Sequence, residues 1–424
     1  MRFETLDQWL CWQESLNPKE IDLGLGRVSR VLHQAGHNNH FDCPLITVAG
    51  TNGKGSVVAY LEAIALAEGY STCSYTSPHL LRYNERIRID GDEIDDNSLC
   101  NAFERIDQAR VDVDLTYFEF GTLAAIDLFM AAKPDLVIME IGLGGRLDAV
   151  NIMQPSVAAI TSIAIDHTDW LGTDREAIGF EKAGIFRAGQ VAVCGDADPP
   201  QSLLRHAEKL GVDLKLIGKH FHAQHTGEKW SFSTEDKAVD ELPLPALSGE
   251  FQLANAATAI MVLKSLPEMR VSAAAIKQGL RHVCLPGRFQ RLRQQPAVIV
   301  DVAHNSQAAA SLLSQLKADE CSGRTHAVVA MLADKPVADV IHQLSSEIDC
   351  WYTAGLESVP RGLSAKQMAV AVEQQASDVK LSAASTVARA CEQALAAAGK
   401  DDRIIIFGSF YTVAEATRFF TLQG

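Results

Sequence analysis

Residues 45–56, Leu-Ile-Thr-Val-Ala-Gly-Thr-Asn-Gly-Lys-Gly-Ser, leave few folds open to this chain. The apolar, β-branched run Leu45 to Val48 reads as a buried strand, Lys54 to Gly69 reads as a helix, and Gly50-Thr51-Asn52-Gly53-Lys54-Gly55-Ser56 joins them. Glycines at such a joint let backbone N–H groups turn toward one point, and the helix N-terminus adds positive potential there, so the joint suits an anion. Lys54 is expected to reach the outer phosphates of a nucleotide, and Ser56 to offer its hydroxyl to Mg²⁺. The common phosphate loop places four residues between its first glycine and Gly-Lys; here Gly50 and Gly53 are separated by two. The plainer reading is a tight strand-to-helix turn with no ligand, but strand, glycines, lysine and serine in this order favour phosphate.

The rest of the chain continues the same pattern. Strand-like runs at Leu45–Val48, Asp135–Ile141, Val157–Ile163, Ala297–Val300, His326–Met331 and Arg403–Phe407 are separated by helix-like stretches, among them Phe118–Ala132 and Ser306–Ala318. Near-continuous apolar strands alternating with helices predict an α/β protein with parallel sheets covered on both faces. A second start stands at Ala297-Val-Ile-Val-Asp301, preceded by Leu285-Pro-Gly-Arg-Phe-Gln-Arg-Leu-Arg-Gln-Gln-Pro296 with its two prolines, glycine and clustered arginines. The expected organisation is a P-loop-type N-terminal domain over 1–286, a hinge over 287–296, and a smaller doubly wound, Rossmann-like domain over 297–424.

Bulk properties narrow the class. A chain of 424 residues, 47% of them hydrophobic, can bury sizeable cores in two or three domains. The N-terminus lacks the apolar core of a signal peptide, and no run reaches the roughly 18 apolar residues of a membrane span. Nine cysteines without a Cys-x-x-Cys pair fit reduced thiols in a cytoplasm. A formal charge of −15 argues against a nucleic-acid surface. It also means that an anionic substrate must be held by a few local cations and backbone donors.

Further residues suggest chemistry, each beside a plainer role. Glu140 ends an apolar strand, where open α/β sheets place ligands; next to a phosphate loop it is a natural Mg²⁺ ligand, though alone it is an ordinary strand-end charge. The following Gly142-Leu-Gly-Gly-Arg146 fails the dinucleotide pattern, because position 147 is leucine. Thr116-Tyr117-Phe118-Glu119 offers two aromatic faces and a carboxylate to a flat heterocycle, or two rings to the core. Asn255 is a ligand contact or a helix cap.

Taken together, Gly50–Ser56, Thr76-Ser-Pro-His-Leu80, Tyr83-Asn-Glu-Arg86, Glu140-Ile-Gly-Leu-Gly-Gly-Arg-Leu-Asp148, Asp166-His-Thr-Asp-Trp170, Glu181-Lys-Ala-Gly-Ile-Phe186, Leu285-Pro-Gly-Arg-Phe289 and Asp301-Val-Ala-His-Asn305 resemble the Mur ligase superfamily. The resemblance is to its folylpolyglutamate synthase/dihydrofolate synthase branch, in order and over most of the chain. It implies ATP bound by Thr51, Asn52, Gly53, Lys54, Gly55 and Ser56, with Asn255, Arg288 and Asp301 adding contacts. It implies magnesium, at one or two sites, on Ser77, Glu140 and His167. His167 rests on the resemblance alone, since hard cations prefer oxygen. Lys182 is implied to be carbamylated, which turns a cation that the metal would repel into an anion. The pterin would lie on Thr116, Tyr117, Phe118, Glu119, Leu147, Asp148 and Ala149, and the incoming glutamate on His304 and Ser409. Two positions depart from the family pattern: Phe180 stands where relatives carry arginine, and Ser306 where many carry proline.

The implied reaction makes a carboxylate electrophilic by phosphorylation from ATP, and the amine of L-glutamate then displaces phosphate. Lys54, His167, Lys182 and Arg288 would carry it by positioning and charge stabilisation. The implied substrates are dihydropteroate and reduced folates, in a monomeric cytoplasmic enzyme with no nucleic-acid or membrane partner. A cell-wall ligase acting on a UDP-sugar peptide and a regulatory ATPase are the competing readings.

Overall fold

The computed structural model describes every residue except Pro18, Glu20, Ser377, Asp378 and Gly424, together with the side chain of Gln423. The chain divides into two compact units: Met1–Ala246 with Gln252–Cys284, and Leu247–Phe251 with Leu285–Gly424.

The first unit is built on strands β1 (Leu45–Ala49), β2 (Thr72–Tyr75), β3 (Ile87–Ile89), β4 (Asp92–Glu93), β5 (Leu136–Glu140), β6 (Val157–Ile160), β7 (Val191–Cys194) and β8 (Asp213–Leu216). They form one sheet in the order β4-β3-β2-β5-β1-β6-β7-β8, antiparallel only at β2-β3-β4. The central strands are buried along their whole length, as a parallel sheet covered on both faces requires. Val48 of β1 pairs with Glu140 of β5 on one side and Ala159 of β6 on the other. Because the three strands run parallel, their C-terminal ends meet at one sheet edge. The joint 50–56, Glu140 and the segment after Ile160 are therefore neighbours.

The helix Lys54–Glu68 is apolar on nearly every face and packs against the helix Ala273–His282, where a Cβ on Gly279 would lie 2.7 Å from Ile64. Helix Leu6–Leu16, closed by a Thr5–Gln8 capping box, sets Trp9 into the core against Phe103 and Phe120. Strands β9 (Phe221–Thr226), β10 (Lys229–Thr234) and β11 (Ala238–Pro243) make a separate antiparallel meander.

The second unit carries β12 (Gln290–Arg293), β13 (Ala297–Asp301), β14 (Thr325–Val329), β15 (Cys350–Ala354), β16 (Lys380–Ala384) and β17 (Arg403–Phe407), in the order β12-β13-β17-β14-β15-β16. All pairs are parallel except β12-β13. Its core gathers Ile299, Val329, Trp351 and Phe407 under helices that include Ser306–Ala318. The stretch 287–296, read as a hinge, holds the edge strand β12, and the division between the units falls after Cys284. Arg291 and Arg293 point to solvent while Gln290 and Leu292 are half-buried, so an edge strand looked like a charged linker in sequence.

Candidate active site

The joint after β1 is held from both sides. Thr51 N–H donates to Ser162 O at 2.6 Å, and the Thr51 hydroxyl donates to Ala164 O while accepting from Ala164 N–H, both at 3.0 Å. The hydroxyls of Thr161 and Ser162 donate to Asn52 O at 2.7 and 3.1 Å. This clamp leaves no room for a side chain at Gly50 or Gly53. A Cβ on Gly50 would fall onto Thr161 Oγ1, and one on Gly53, whose φ is +90°, would lie 2.6 Å from Asn255 Oδ1. Gly53 is the N-cap of the helix Lys54–Glu68, and no side chain caps that end. The first-turn amides thus face a cradle of glycine backbone, the arrangement that fits phosphate.

Two lysines converge on this loop. Lys54 Nζ donates to Gly50 O and Thr51 O at 3.2 Å each, and Lys182 Nζ donates to the same Gly50 O at 2.9 Å. Glu140, 4% exposed at the end of β5, lies 4.0 Å from Lys54 and accepts from Ser77 N–H at 3.3 Å. Lys182 is buried, which draws its ammonium down to about 7; Lys54 pushes the same way, and Asp166 and Asp148 oppose it. Asp148 shifts in the opposite direction, to about 7, again chiefly by burial, against the N–H groups of Leu143, Val150 and Gly142 and the charge of Lys54. It closes the short helix Ala149–Ile152, leaving Leu147 half-buried beside it.

His167 sits at φ +51°, its N–H bound to the Asp166 carboxylate at 2.8 Å. It closes the same segment, 161–167, that clamps the loop. Among the described residues, no three His, Cys, Asp or Glu side chains gather as a metal cage. The implied set of Ser77, Glu140 and His167 has only two such groups, which suits a magnesium that keeps water and substrate phosphate as its other ligands.

Thr116 and Glu119 form a capping box on the helix Tyr117–Ala132, and Arg27 donates to the second Glu119 oxygen at 2.8 Å. Both carboxylate oxygens therefore have protein partners. The Tyr117 ring meets Tyr83 edge-on at 5.5 Å, with the Arg86 guanidinium 5.5 Å from Tyr117. Phe118 fills the space over Gly142, where a Cβ would lie 2.6 Å from its ring. Phe180 is exposed, with the Arg146 guanidinium 5.8 Å from its ring and His206 meeting it edge-on at 5.9 Å.

Asn255, on the helix Phe251–Lys264, packs on Gly53 and donates to Gln252 Oε1 at 3.1 Å; it is not an N-cap. In the second unit, the buried Asp301 accepts from the N–H groups of Phe289 and Ala303 at 2.8 Å, and burial raises it despite Arg288 nearby. The Arg288 guanidinium lies 5.2 Å from the Phe410 ring, and the His304 ring is 6.5 Å from it. Ser409 is buried and hydrogen-bonded to Thr412 at 2.7 Å. Arg288, Asp301, His304 and Ser409 thus surround the C-terminal ends of β13 and β17. Asn305 caps the helix Ser306–Ala318, so Ser306 occupies the first helical position, where proline and serine are both accommodated. Sequence reasoning missed the Thr161–Ala164 clamp, Gln252 and Arg27; the small hydroxyls after an apolar strand are the one signal that could have pointed to the first.

Fold and site together define a nucleotide-using ligase of two α/β domains. A model of the Mur ligase middle domain matches residues 48–263, and one of the Mur ligase glutamate ligase domain matches residues 287–410. The Escherichia coli dihydrofolate synthase/folylpolyglutamate synthase is 44% identical over 410 residues, covering 96% of this chain and 94% of that protein. The Haemophilus influenzae counterpart is 39% identical, with 97% and 96% covered. Escherichia coli FolC in complex with DHPP and ADP superposes with a TM-score of 0.93 at 43% identity, covering 99% and 98% of the two chains. A Yersinia pestis enzyme of the same name, complexed with AMPPNP and Mn, gives 0.89 at 44%, again over 99% and 98%. The chain belongs to the dihydrofolate synthase/folylpolyglutamate synthase family of Mur ligases.

Proposed function

We propose that this chain is an ATP-dependent ligase that joins L-glutamate to dihydropteroate, giving dihydrofolate, and to reduced folates, giving folylpolyglutamates, each through an acyl phosphate. The observation that carries the reading is Lys54 resting on the loop carbonyls of Gly50 and Thr51, at an uncapped helix N-terminus beside Glu140. In a chain of net charge −15, that concentration of positive potential is a local device for an anion.

In this reading Lys54 leaves its own loop carbonyls to bind the outer phosphates, and the amides of residues 53–56 hold them. Magnesium on Ser77, Glu140 and His167 supplies charge neutralisation as the phosphoryl group moves. Asn255 holds the nucleotide from the side of Gly53. Lys182, as its carbamate, replaces a buried cation by an anion that Lys54 neutralises; its neutral amine, favoured by burial, is the form that reacts with CO₂. Arg288 and Asp301, on the second unit, are the further candidates for nucleotide contacts, and the Arg288 guanidinium is suited to oppose phosphoryl charge. His304 and Ser409 receive glutamate. Thr116 to Glu119 and Leu147 to Ala149 receive the pterin, and the aromatic faces of Tyr117 and Phe118 suit a flat heterocycle better than a sugar. No side chain is needed as nucleophile, because the glutamate amine attacks the acyl phosphate directly. The nine cysteines are free thiols, as a cytoplasmic monomer would have them.

Phosphate release by purified protein with ATP and glutamate, comparing dihydropteroate with tetrahydrofolate, tests the reading. Release with both acids, and none without glutamate, is the expected result. Lys54→Ala should lower turnover by at least about 10²-fold with the fold intact. Release that needs no glutamate would point to an ATPase, and release only with UDP-muramyl peptides to a cell-wall ligase.

A further inference from the structure

Gln252 is fully buried, and all three of its hydrogen bonds go to side chains. Its Nε2 donates to Ser56 Oγ at 3.2 Å, and its Oε1 accepts from Asn255 Nδ2 at 3.1 Å and from the Tyr60 hydroxyl at 3.3 Å. Tyr60 lies one turn along from Ser56 on the helix that begins at the glycine loop, and Asn255 lies one turn along from Gln252 on its own helix. One carboxamide therefore ties together the first turn of the loop helix and the residue packed on Gly53.

The two donors fix the amide. Turning it over would set its NH₂ against the NH₂ of Asn255 and commit the Ser56 proton to the Gln252 oxygen. In the orientation present, the Gln252 N–H occupies one lone pair of Ser56 Oγ. The other lone pair and the hydroxyl proton are left for whatever the loop binds. Asn255 is constrained in the same way: with Nδ2 committed to Gln252, its Oδ1 is held 2.6 Å from where a Gly53 Cβ would be.

We propose that Gln252 is a positioning residue of the nucleotide site, orienting Ser56 Oγ for the metal–phosphate group and Asn255 for the nucleotide. It touches neither and acts through both. The inference rests on the nucleotide reading of the loop given above. It adds a residue whose amide, rather than its bulk, sets affinity for the metal–nucleotide complex. A buried group used only to fill space would tolerate methionine, which keeps the volume and loses the bonds. A group that orients ligands would not, since partners of ligating groups typically contribute 10- to 100-fold in affinity or activity.

The test is titration of the whole protein with MgADP and with ADP in EDTA, alongside kcat and KM for ATP, for Gln252→Met, Gln252→Glu and Tyr60→Phe. Gln252→Met should weaken MgADP by about 10- to 100-fold and raise KM for ATP by at least about 10-fold, with a smaller change in kcat. Gln252→Glu keeps an acceptor for Tyr60 and Asn255 but draws the Ser56 proton to itself. Its loss should be larger for MgADP than for ADP in EDTA, and should fall below about two-fold in a Ser56→Ala background. Tyr60→Phe keeps both ligand-directed bonds and should change affinity less than about three-fold. If Gln252→Met does not fold, the Gln252→Glu cycle with Ser56→Ala decides alone. Unchanged MgADP affinity in the folded Gln252 variants, or penalties of Gln252→Glu and Ser56→Ala that multiply, would overturn the proposal while leaving the nucleotide reading in place. Wild-type protein that binds no MgADP would overturn both.

Discussion

Lys182 has the clearest conflict of any residue in the site. It is an ammonium enclosed by protein, donating to Gly50 O at 2.9 Å, with a second lysine on the same carbonyl. Burial first, and Lys54 second, bring it down to about 7. An ordinary lysine at pH 7 is about one part in 3,000 neutral amine, whereas a lysine titrating at 7 is about half neutral. Only the neutral amine attacks CO₂, and the reaction releases a proton, so carbamate formation is favoured as pH rises through 7. At limiting bicarbonate, activity should therefore climb between pH 6 and 8, and saturating bicarbonate should flatten that limb. Lys182→Ala should lose at least about 10²-fold in turnover and regain part of it with a short carboxylic acid that fits the vacated space. Bicarbonate-independent activity in decarbonated buffer would rule the modification out. The same shift affects stability in a defined direction. Between about 7 and the ordinary 10.5 the unfolded chain binds more protons than the fold, so the unmodified protein gains stability as pH rises through that window.

At the scale of elements, the joint between β1 and its helix was legible because every signal in it is local. The apolar run, the glycines and the long helix pattern are all within 25 residues of one another, and the structure places them as Leu45–Ala49 and Lys54–Glu68. The helices Tyr117–Ala132 and Ser306–Ala318 and the strands ending at Glu140 and Asp301 were legible for the same reason. What escaped had either a weak local pattern or a distant partner. The β9–β11 meander is mostly half-exposed and polar, so its alternation is weak. β12 showed its arginines and hid its pairing with β13. The Thr161–Ala164 clamp lies more than a hundred residues from the loop it holds, and Arg27 reaches Glu119 across 92 residues. The joint yields its own prediction. Gly53→Ala forces a side chain into the left-handed region at φ +90° and onto Asn255, which should cost about 1–3 kcal/mol of stability. Chemical denaturation followed by tryptophan fluorescence measures it, and nucleotide affinity should fall in parallel because Asn255 is displaced. An unchanged midpoint would mean that the loop relaxes without cost and that its glycines are not conformationally required.

For the molecule as a whole, 53 acidic against 38 basic side chains create a field that repels the anions this site is built to hold. On the proposed reading, binding rests on a small number of groups at short range, where screening by salt is weakest: Lys54, the amides of the loop helix, and a metal with its ligands. Heat unfolding with and without nucleotide gives the readout. A nucleotide that binds only the folded state stabilises it by about 2.7 kcal/mol at a hundred times its Kd. For domains of this size that corresponds to an upward shift in Tm of roughly 5–10 °C. MgADP should produce it in the wild type, and EDTA should reduce it by removing the metal's contribution. If Lys54 supplies two powers of ten in affinity, then Lys54→Ala at the same nucleotide concentration sits at its own Kd. It keeps only about 0.4 kcal/mol, a shift of roughly 1 °C. The comparison separates charge from packing, because replacing an ammonium that rests on loop carbonyls should scarcely move the Tm of the ligand-free protein. A variant that kept the full MgADP shift would mean that the helix end and the metal hold the phosphates without the lysine, and that the positive potential at Gly50 serves the loop rather than the ligand.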